Sequence, residues 1–248
     1  MIPIQDIVPR RTFPIVTVGL ILLNTAIFLF ELSLPEETLE RLIFHLGVVP
    51  ARYTDPYWGA EHSLPFLPYL AFFTSMFLHG GWIHLLGNMW TLWIFGDNVE
   101  DRMGHGRFLI FYLLCGLVAA LVHVYVHPHS KVPVIGASGA ISGVLGAYYG
   151  LFPLARVIVL VPIFFFPFFF EVPAILYIGF WYLMQLFSGA LSIVHGQVIG
   201  GVAWWAHIGG FLFGLLTHRL FCLGRRGCWR DEKRPWGVQW ALGEKFNR

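Results

Sequence analysis

Residues 157–170 read VIVLVPIFFFPFFF, and whether this stretch crosses a membrane decides the fold. It has 14 residues, no charge, and two internal prolines, Pro162 and Pro167. A bilayer crossing needs about 20 mostly apolar residues. An interior proline removes a helical hydrogen bond and clashes with the preceding turn. The stretch is therefore read as an interfacial or re-entrant hairpin with an aromatic face. The alternative, a further span, would reverse the side of everything after it, and charge can arbitrate.

The rest of the chain sets the context. Hydrophobic residues make up 57% of the 248 residues and charged residues 12%, against about 45–50% and 25% in soluble domains. Such a chain cannot coat a water-facing surface, so a polytopic membrane protein is expected. Disorder, coiled coil and collagen are excluded by composition. The net charge of +2, with no long basic tract outside the C-terminal tail, does not point to nucleic acid. Cys115, Cys222 and Cys228 are too few and too scattered for a disulfide framework. Cys222 and Cys228 are expected as reduced thiols.

Six spans can be laid out by length and charge. Residues 13–30 are uncharged behind Arg10 and Arg11. No Asp, Glu, Lys or Arg occurs between Glu61 and Asp97, where roughly 81–96 reads as helix. Residues 108–127 and 138–154 supply the third and fourth spans. After Glu171, 47 residues pass without a formal charge, enough for two crossings around a turn at 192–201. This arrangement places 13 of the 16 Lys and Arg residues inside and leaves Arg41, Arg52 and Lys131 outside. Basic residues favour the cytoplasmic side, so both termini are expected there. A seventh span would put the eight basic tail residues outside and is rejected. The expected organisation is a cytoplasmic N-terminus over 1–12, an all-α six-span domain over 13–222, and a basic cytoplasmic tail over 223–248. The first outer loop, 34–80, is long and rich in aromatic residues and proline, so an interfacial structured element is expected there.

Polar side chains in apolar spans are functional candidates. They are His84 and Asn88 in span 2, Ser138 and Ser142 in span 4, and His207 in span 6. Asn24 and Gln185 are weaker, because a single amide often only bonds a neighbouring helix. Spans 2, 4 and 6 all run from outside to inside, and counting from their ends puts His84, Asn88, Ser138 and His207 at similar depth beneath the outer face. His84 and Asn88 are four apart and share a helix face. Ser138 lies in GASGAISG and His207 precedes Gly209, Gly210 and Gly214. Gly139/Gly143 and Gly210/Gly214 are GxxxG pairs of the kind that lets helix backbones approach closely. A serine among small residues, or a histidine near a span end, is ordinarily packing. A serine beside an imidazole is also the minimal activated nucleophile.

Three motifs resemble those of the rhomboid intramembrane serine proteases. His79-Gly80-Gly81-Trp82-Ile83-His84-Leu85-Leu86-Gly87-Asn88-Met89 is similar to the family's span-2 signature. Gly136-Ala137-Ser138-Gly139 is similar to its nucleophile motif, and Ala206-His207-Ile208-Gly209-Gly210 with Gly214 to its base motif. The resemblance implies Ser138 as nucleophile and His207 as general base. It implies an oxyanion site from Asn88, His84 and the Ser138 N–H, with Gly136 in the turn that approaches the substrate carbonyl. Spans 2, 4 and 6 hold no carboxylate, so helix packing is expected to orient His207. The sequence departs from the family in two places. No Trp-Arg pair occurs in the first outer loop, and Ser142 stands where some members carry an aromatic residue.

The expected activity is hydrolysis of peptide bonds in or near transmembrane segments of other membrane proteins. No metal and no organic cofactor are implied. The expected partners are transmembrane protein substrates and the lipid bilayer, and the expected location is a bacterial inner membrane. Two rivals belong to other classes. A non-catalytic relative that binds membrane clients should lack Ser138 or His207. A channel or transporter should show intramembrane charges or an inverted repeat, and neither is visible.

Overall fold

The computed structural model describes residues 1–62, 67–164, 166–194 and 202–224. In chain order these form β1 (Ile2–Asp6), α1 (Ile15–Leu32), α2 (Glu36–Leu46), α3 (Ala51–Thr54), α4 (Pro56–His62), α5 (Leu67–Thr74), α6 (Trp82–Met103), α7 (His105–Val126), α8 (Ser138–Leu151), β2 (Arg156–Ile163), β3 (Phe166–Pro173), α9 (Ala174–Val194) and α10 (Trp204–Phe221). Of the turn expected over 192–201, residues 192–194 are instead the last residues of α9, and 195–201 lie outside the described residues, as does the tail beyond Gly224.

The long uncharged stretches are helices, as their hydropathy requires. Helices α1 and α7 and the Ala174–Ile193 part of α9 are each long and apolar enough to cross a membrane. Helix α6 passes the same test jointly with Pro68–Phe77, from which it is bent by 80°. Helix α8 has only 14 residues, about 21 Å of rise, which is less than a hydrocarbon core. It occupies the middle of the bundle instead, with every residue from Ala140 to Tyr148 buried, and it packs on α6, α7 and α10.

The chain is mostly helical, in line with the helical membrane fold expected from sequence, and carries one small sheet besides. Residues 157–163 and 166–170 lie in two antiparallel strands, β2 and β3, and β1 from the N-terminus pairs with β2 to complete a three-stranded sheet. The physical reason is local. Val157, Ile158, Val159 and Val161 are β-branched and favour strands, while Pro162 and Pro167 forbid helix. A period-2 face then forms at the base, where Val157 and Val159 are fully buried. Charge counting could exclude a span but could not choose between a helical and an extended hairpin.

Buried polar contacts tie the sheet and α1 to the end of the bundle away from Ser138. Glu100 of α6 is fully buried. Its carboxylate accepts from the N–H groups of Val16 and Thr17 and from the Thr17 hydroxyl at 2.7–2.9 Å. Helix α1 has no side-chain cap of its own, so α6 satisfies its free N-terminal donors. On β1, Asp6 Oδ2 accepts from the Tyr148 hydroxyl at 2.6 Å and from Asn98 Nδ2 at 2.8 Å. Burial pushes the Asp6 carboxyl from 3.8 up to about 7, more than these donors lower it. The folded state thus holds this proton more tightly than the unfolded chain. The stabilisation is complete below about pH 4 and is lost as pH rises towards 7. Thermal unfolding of the detergent-solubilised protein should show greater stability at pH 5 than at pH 8 from this group. Asp6→Asn, which keeps an acceptor, should remove that component. An unchanged pH dependence in the variant would contradict the assignment.

Between α1 and α6, Arg52 of α3 holds the end of α2. Its guanidinium donates to the carbonyls of Phe44, His45 and Gly47 at the end of α2 and lies over the Phe44 ring, 4.9 Å from its centroid. The loop is therefore held by an arginine without a preceding tryptophan. Cys115 is a buried free thiol, and Cys228, expected with Cys222 as a reduced thiol, lies outside the described residues.

Candidate active site

Ser138 is the first residue of α8, directly after the Gly136–Ala137 turn. Gly136 has φ +122°, a conformation that side chains disfavour. A Cβ there would also lie 2.6 Å from His84 Nε2 and 3.7 Å from Asn88 Nδ2. The turn therefore requires glycine twice over, for its backbone angle and for the close approach of two α6 side chains. The Gly136 N–H is anchored on the Ser75 carbonyl at 2.8 Å.

The structure brings Ser138 and His207 together. Ser138 Oγ is 2.8 Å from His207 Nε2. On the other side of the ring, His207 Nδ1 is 2.9 Å from Gln185 Oε1 of α9. An amide oxygen can only accept, so Nδ1 carries the proton and Nε2 presents its lone pair to the serine hydroxyl. The imidazole also lies between two indoles, with ring centroids 6.2 Å from Trp181 and 6.3 Å from Trp204.

Two donors from α6 face the same spot. The Gly80 N–H approaches His84 Nδ1 at 3.4 Å, which assigns the remaining ring proton to Nε2, on the side facing Gly136. Asn88 is buried, and its Nδ2 has no hydrogen-bond acceptor among the described residues. Buried amide donors are normally satisfied, and an exception calls for an explanation. Its place beside Gly136 and one turn from His84 supplies one: the donor is aimed where a ligand oxygen would sit. A small cavity of about 30 Å³, lined by Ser75, Gly136, Ser138, Gly139, Ala203 and Ala206 among others, adjoins the serine. The larger apolar cleft, about 560 Å³ between α9 and α10, is lined by Tyr149, Phe180 and Leu183 and contains neither Ser138 nor His207.

Residues 68–224 match the family described as the Rhomboid domain. The chain belongs to the rhomboid family. It is 43% identical over 74 residues to "Rhomboid protease GluP" of Bacillus subtilis, covering 30% of this chain and 14% of that protein. It is 29% identical over 152 residues to "Rhomboid protein 1, mitochondrial" of Saccharomyces cerevisiae, covering 57% of this chain and 39% of that one. It is 32% identical over 150 residues to "Presenilin-associated rhomboid-like protein A, mitochondrial" of Danio rerio, covering 57% and 34%. The chain thus spans less than two fifths of the length of each of these relatives.

In this rhomboid, glycine contacts bring the serine and histidine helices together. A Cβ on Gly210 would lie 2.1 Å from the Gly139 carbonyl oxygen, and one on Gly214 would lie 2.0 Å from that of Gly143. Gly139 and Gly143 in turn leave room for Ala119 and Cys115 of α7. Ser142 sits one turn after Ser138 and donates to the Ser138 carbonyl at 2.6 Å, not to the imidazole. Sequence reading ranked Gln185 as a weak candidate and passed over Trp181 and Trp204. A signal for Gln185 was present, since it is the one amide in the apolar helix α9, and such an amide seeks a partner on another helix. Which partner it finds depends on how α9 is rotated against α10.

Proposed function

We propose that this rhomboid is an intramembrane serine protease that cuts transmembrane segments of other membrane proteins. The observation that carries this reading is the hydrogen bond from Ser138 Oγ to a neutral His207 whose other nitrogen is held by Gln185. His207 Nε2 takes the serine proton as Oγ attacks the scissile carbonyl carbon. The oxyanion accepts from Asn88 Nδ2, from the Ser138 N–H at the free N-terminus of α8, and from His84 Nε2. Collapse expels the amine, which leaves with the proton from Nε2. Water then attacks the acyl-serine with the same imidazole as base. The space next to Ser138 is bordered by glycine and alanine and fits a small side chain at the cleaved bond. In this reading α1 and α6–α10 are six membrane helices, with the shorter α8 enclosed by the others. The serine end faces the outer side and both termini face the cytoplasm, as the distribution of basic residues favours.

A fluorophosphonate probe applied to membranes tests the reading without a known substrate. It should label Ser138, and His207→Ala should abolish labelling. An unlabelled Ser138 in folded protein would count decisively against a protease.

Gln185 takes the place in this reading that a carboxylate holds in soluble triads. Gln185→Leu leaves Nδ1 without an acceptor and frees the ring to turn. Turnover should fall by about 10- to 100-fold, the scale on which misplacement costs rate. Gln185→Glu keeps an acceptor in the same place and should recover most of the loss. Equal activity in the Leu and Glu variants would remove Gln185 from the mechanism.

A further inference from the structure

We propose that the β2–β3 hairpin is a re-entrant membrane element whose tip, residues 160–163 and 166–169, has phospholipid acyl chains as its partner. The inference is independent of the serine chemistry.

The direction of the hairpin follows from two anchors on one helix. Asp6 of β1 bonds to Asn98, and the Pro3 carbonyl accepts from Trp90 Nε1 at 2.6 Å. The two α6 residues are about 12 Å apart along the helix. The two β1 residues are about 10 Å apart along the strand. So β1 climbs beside α6, away from the polar end that carries Asp97, Glu100, Asp101 and Arg102. Strand β2 pairs Val157 with Asp6 and Leu160 with Ile2, so it climbs in the same direction and continues past the end of β1. The charges agree with this direction. Arg156 and Glu171 face each other at 4.0 Å at the base of the hairpin, level with the polar end, and residues 157–170 carry none. A hairpin reaching into water would have the opposite arrangement.

The tip is apolar on both faces. Phe168 and Phe169 are consecutive and point to opposite sides of the sheet, yet both are exposed. Phe164 at the turn is 92% exposed and Phe166 70%. Phe164 also has φ +54°, where such turns ordinarily use Asn or Gly. A bulky aromatic held in that conformation at the extreme tip suits an apolar surrounding. Leu176, Phe180 and Leu183 of α9, a helix apolar enough to span, are exposed as well.

Open sheet edges are not tolerated in hydrocarbon because their donors and acceptors go unpaired. This edge has been depleted of donors. Pro162 and Pro167 face each other in the ladder and neither has an N–H, so theirs is a non-hydrogen-bonded pair. By alternation, the outward-facing positions of β3 are 167, 169, 171 and 173. Two of these, Pro167 and Pro173, are prolines, and Glu171 lies at the base. Within the tip, Phe169 is the one residue of β3 left with an outward N–H. The same depletion disfavours a second copy or a substrate strand adding to β3, since an added strand needs those donors. Lipid is the occupant that fits.

Spin labels on the full chain in phosphatidylcholine vesicles provide the test. A label at Phe166→Cys, or at Phe168→Cys if the first variant does not fold, should collide several-fold more with oxygen than with a nickel chelate. One at Glu171→Cys should show the reverse preference. The parent protein taken through the same labelling gives the background. Preference for the nickel chelate at the tip would place the hairpin in water. Shielding from both reagents would mean that protein covers it. Either result overturns the proposal. On the unaltered protein, a phosphatidylcholine with a photoreactive acyl chain should leave adducts within residues 157–170. Adducts confined to the helices would overturn it as well.

Discussion

Ser138→Ala and His207→Ala should each reduce cleavage of a transmembrane substrate by about 10⁴-fold or more in purified, folded protein. Soluble Ser–His units lose on the order of 10⁶ when either member is removed, and removing both costs little more. In the proposed mechanism the same reason applies: Ser138 Oγ and His207 Nε2 are 2.8 Å apart and would act on the same proton. Without the imidazole the hydroxyl is too weak a nucleophile, and without the hydroxyl the imidazole has nothing to activate. The double variant should therefore be no worse than either single one. Multiplicative losses would show that the two residues act separately. Substantial activity in Ser138→Ala would mean that another group attacks the carbonyl. Ser138→Ala removes one atom at the edge of a small cavity, and His207 is only partly buried, so folding should survive both substitutions, as gel filtration would show.

Asn88→Ala should lower turnover by about 10²–10³-fold, the usual loss when one oxyanion donor is removed, while leaving substrate binding nearly unchanged. The donor meets its acceptor only when charge develops on the carbonyl oxygen, so its loss falls on kcat. The structure adds a second, opposite expectation. Asn88 Nδ2 is buried without an acceptor in the folded protein, and an unsatisfied buried donor costs stability. Asn88→Ala should thus unfold at the same temperature as the parent or higher. Loss of activity together with a lower Tm would point to a structural role for the amide. Unimpaired turnover would remove it from the oxyanion site. His84→Ala should show a smaller loss, because the Ser138 N–H and Asn88 still reach the oxyanion.

Much of this was legible in the sequence because it depends on quantities that run along the chain. Length and apolarity determined that this is a membrane protein with long helices near residues 15–32, 105–126 and 174–193. Counting from span ends singled out Ser138, His207, His84 and Asn88 together, and the structure puts Ser138 beside His207 and Gly136 beside His84 and Asn88. The GxxxG spacing pointed to the helices that must approach. The prolines in residues 157–170 excluded a span there. None of these readings needs to know which element faces which.

Tertiary structure decided what depends on rotation about a helix axis or on partners far apart in the chain. Gln185 is one polar residue in an apolar helix. That its Oε1 meets His207 Nδ1 while its Nε2 donates to the Trp181 carbonyl of its own helix follows from the packing of α9 on α10. Asn88 gains its meaning from a missing acceptor, and an absence can be seen only when every neighbour is in place. The hairpin became a sheet because β1, about 150 residues earlier in the chain, lies against β2 and is held there by Asp6, Tyr148 and Asn98. Pairing over that distance has no periodic signature in sequence, since a strand's partner is chosen by the helices that carry both strands to the same end of the bundle.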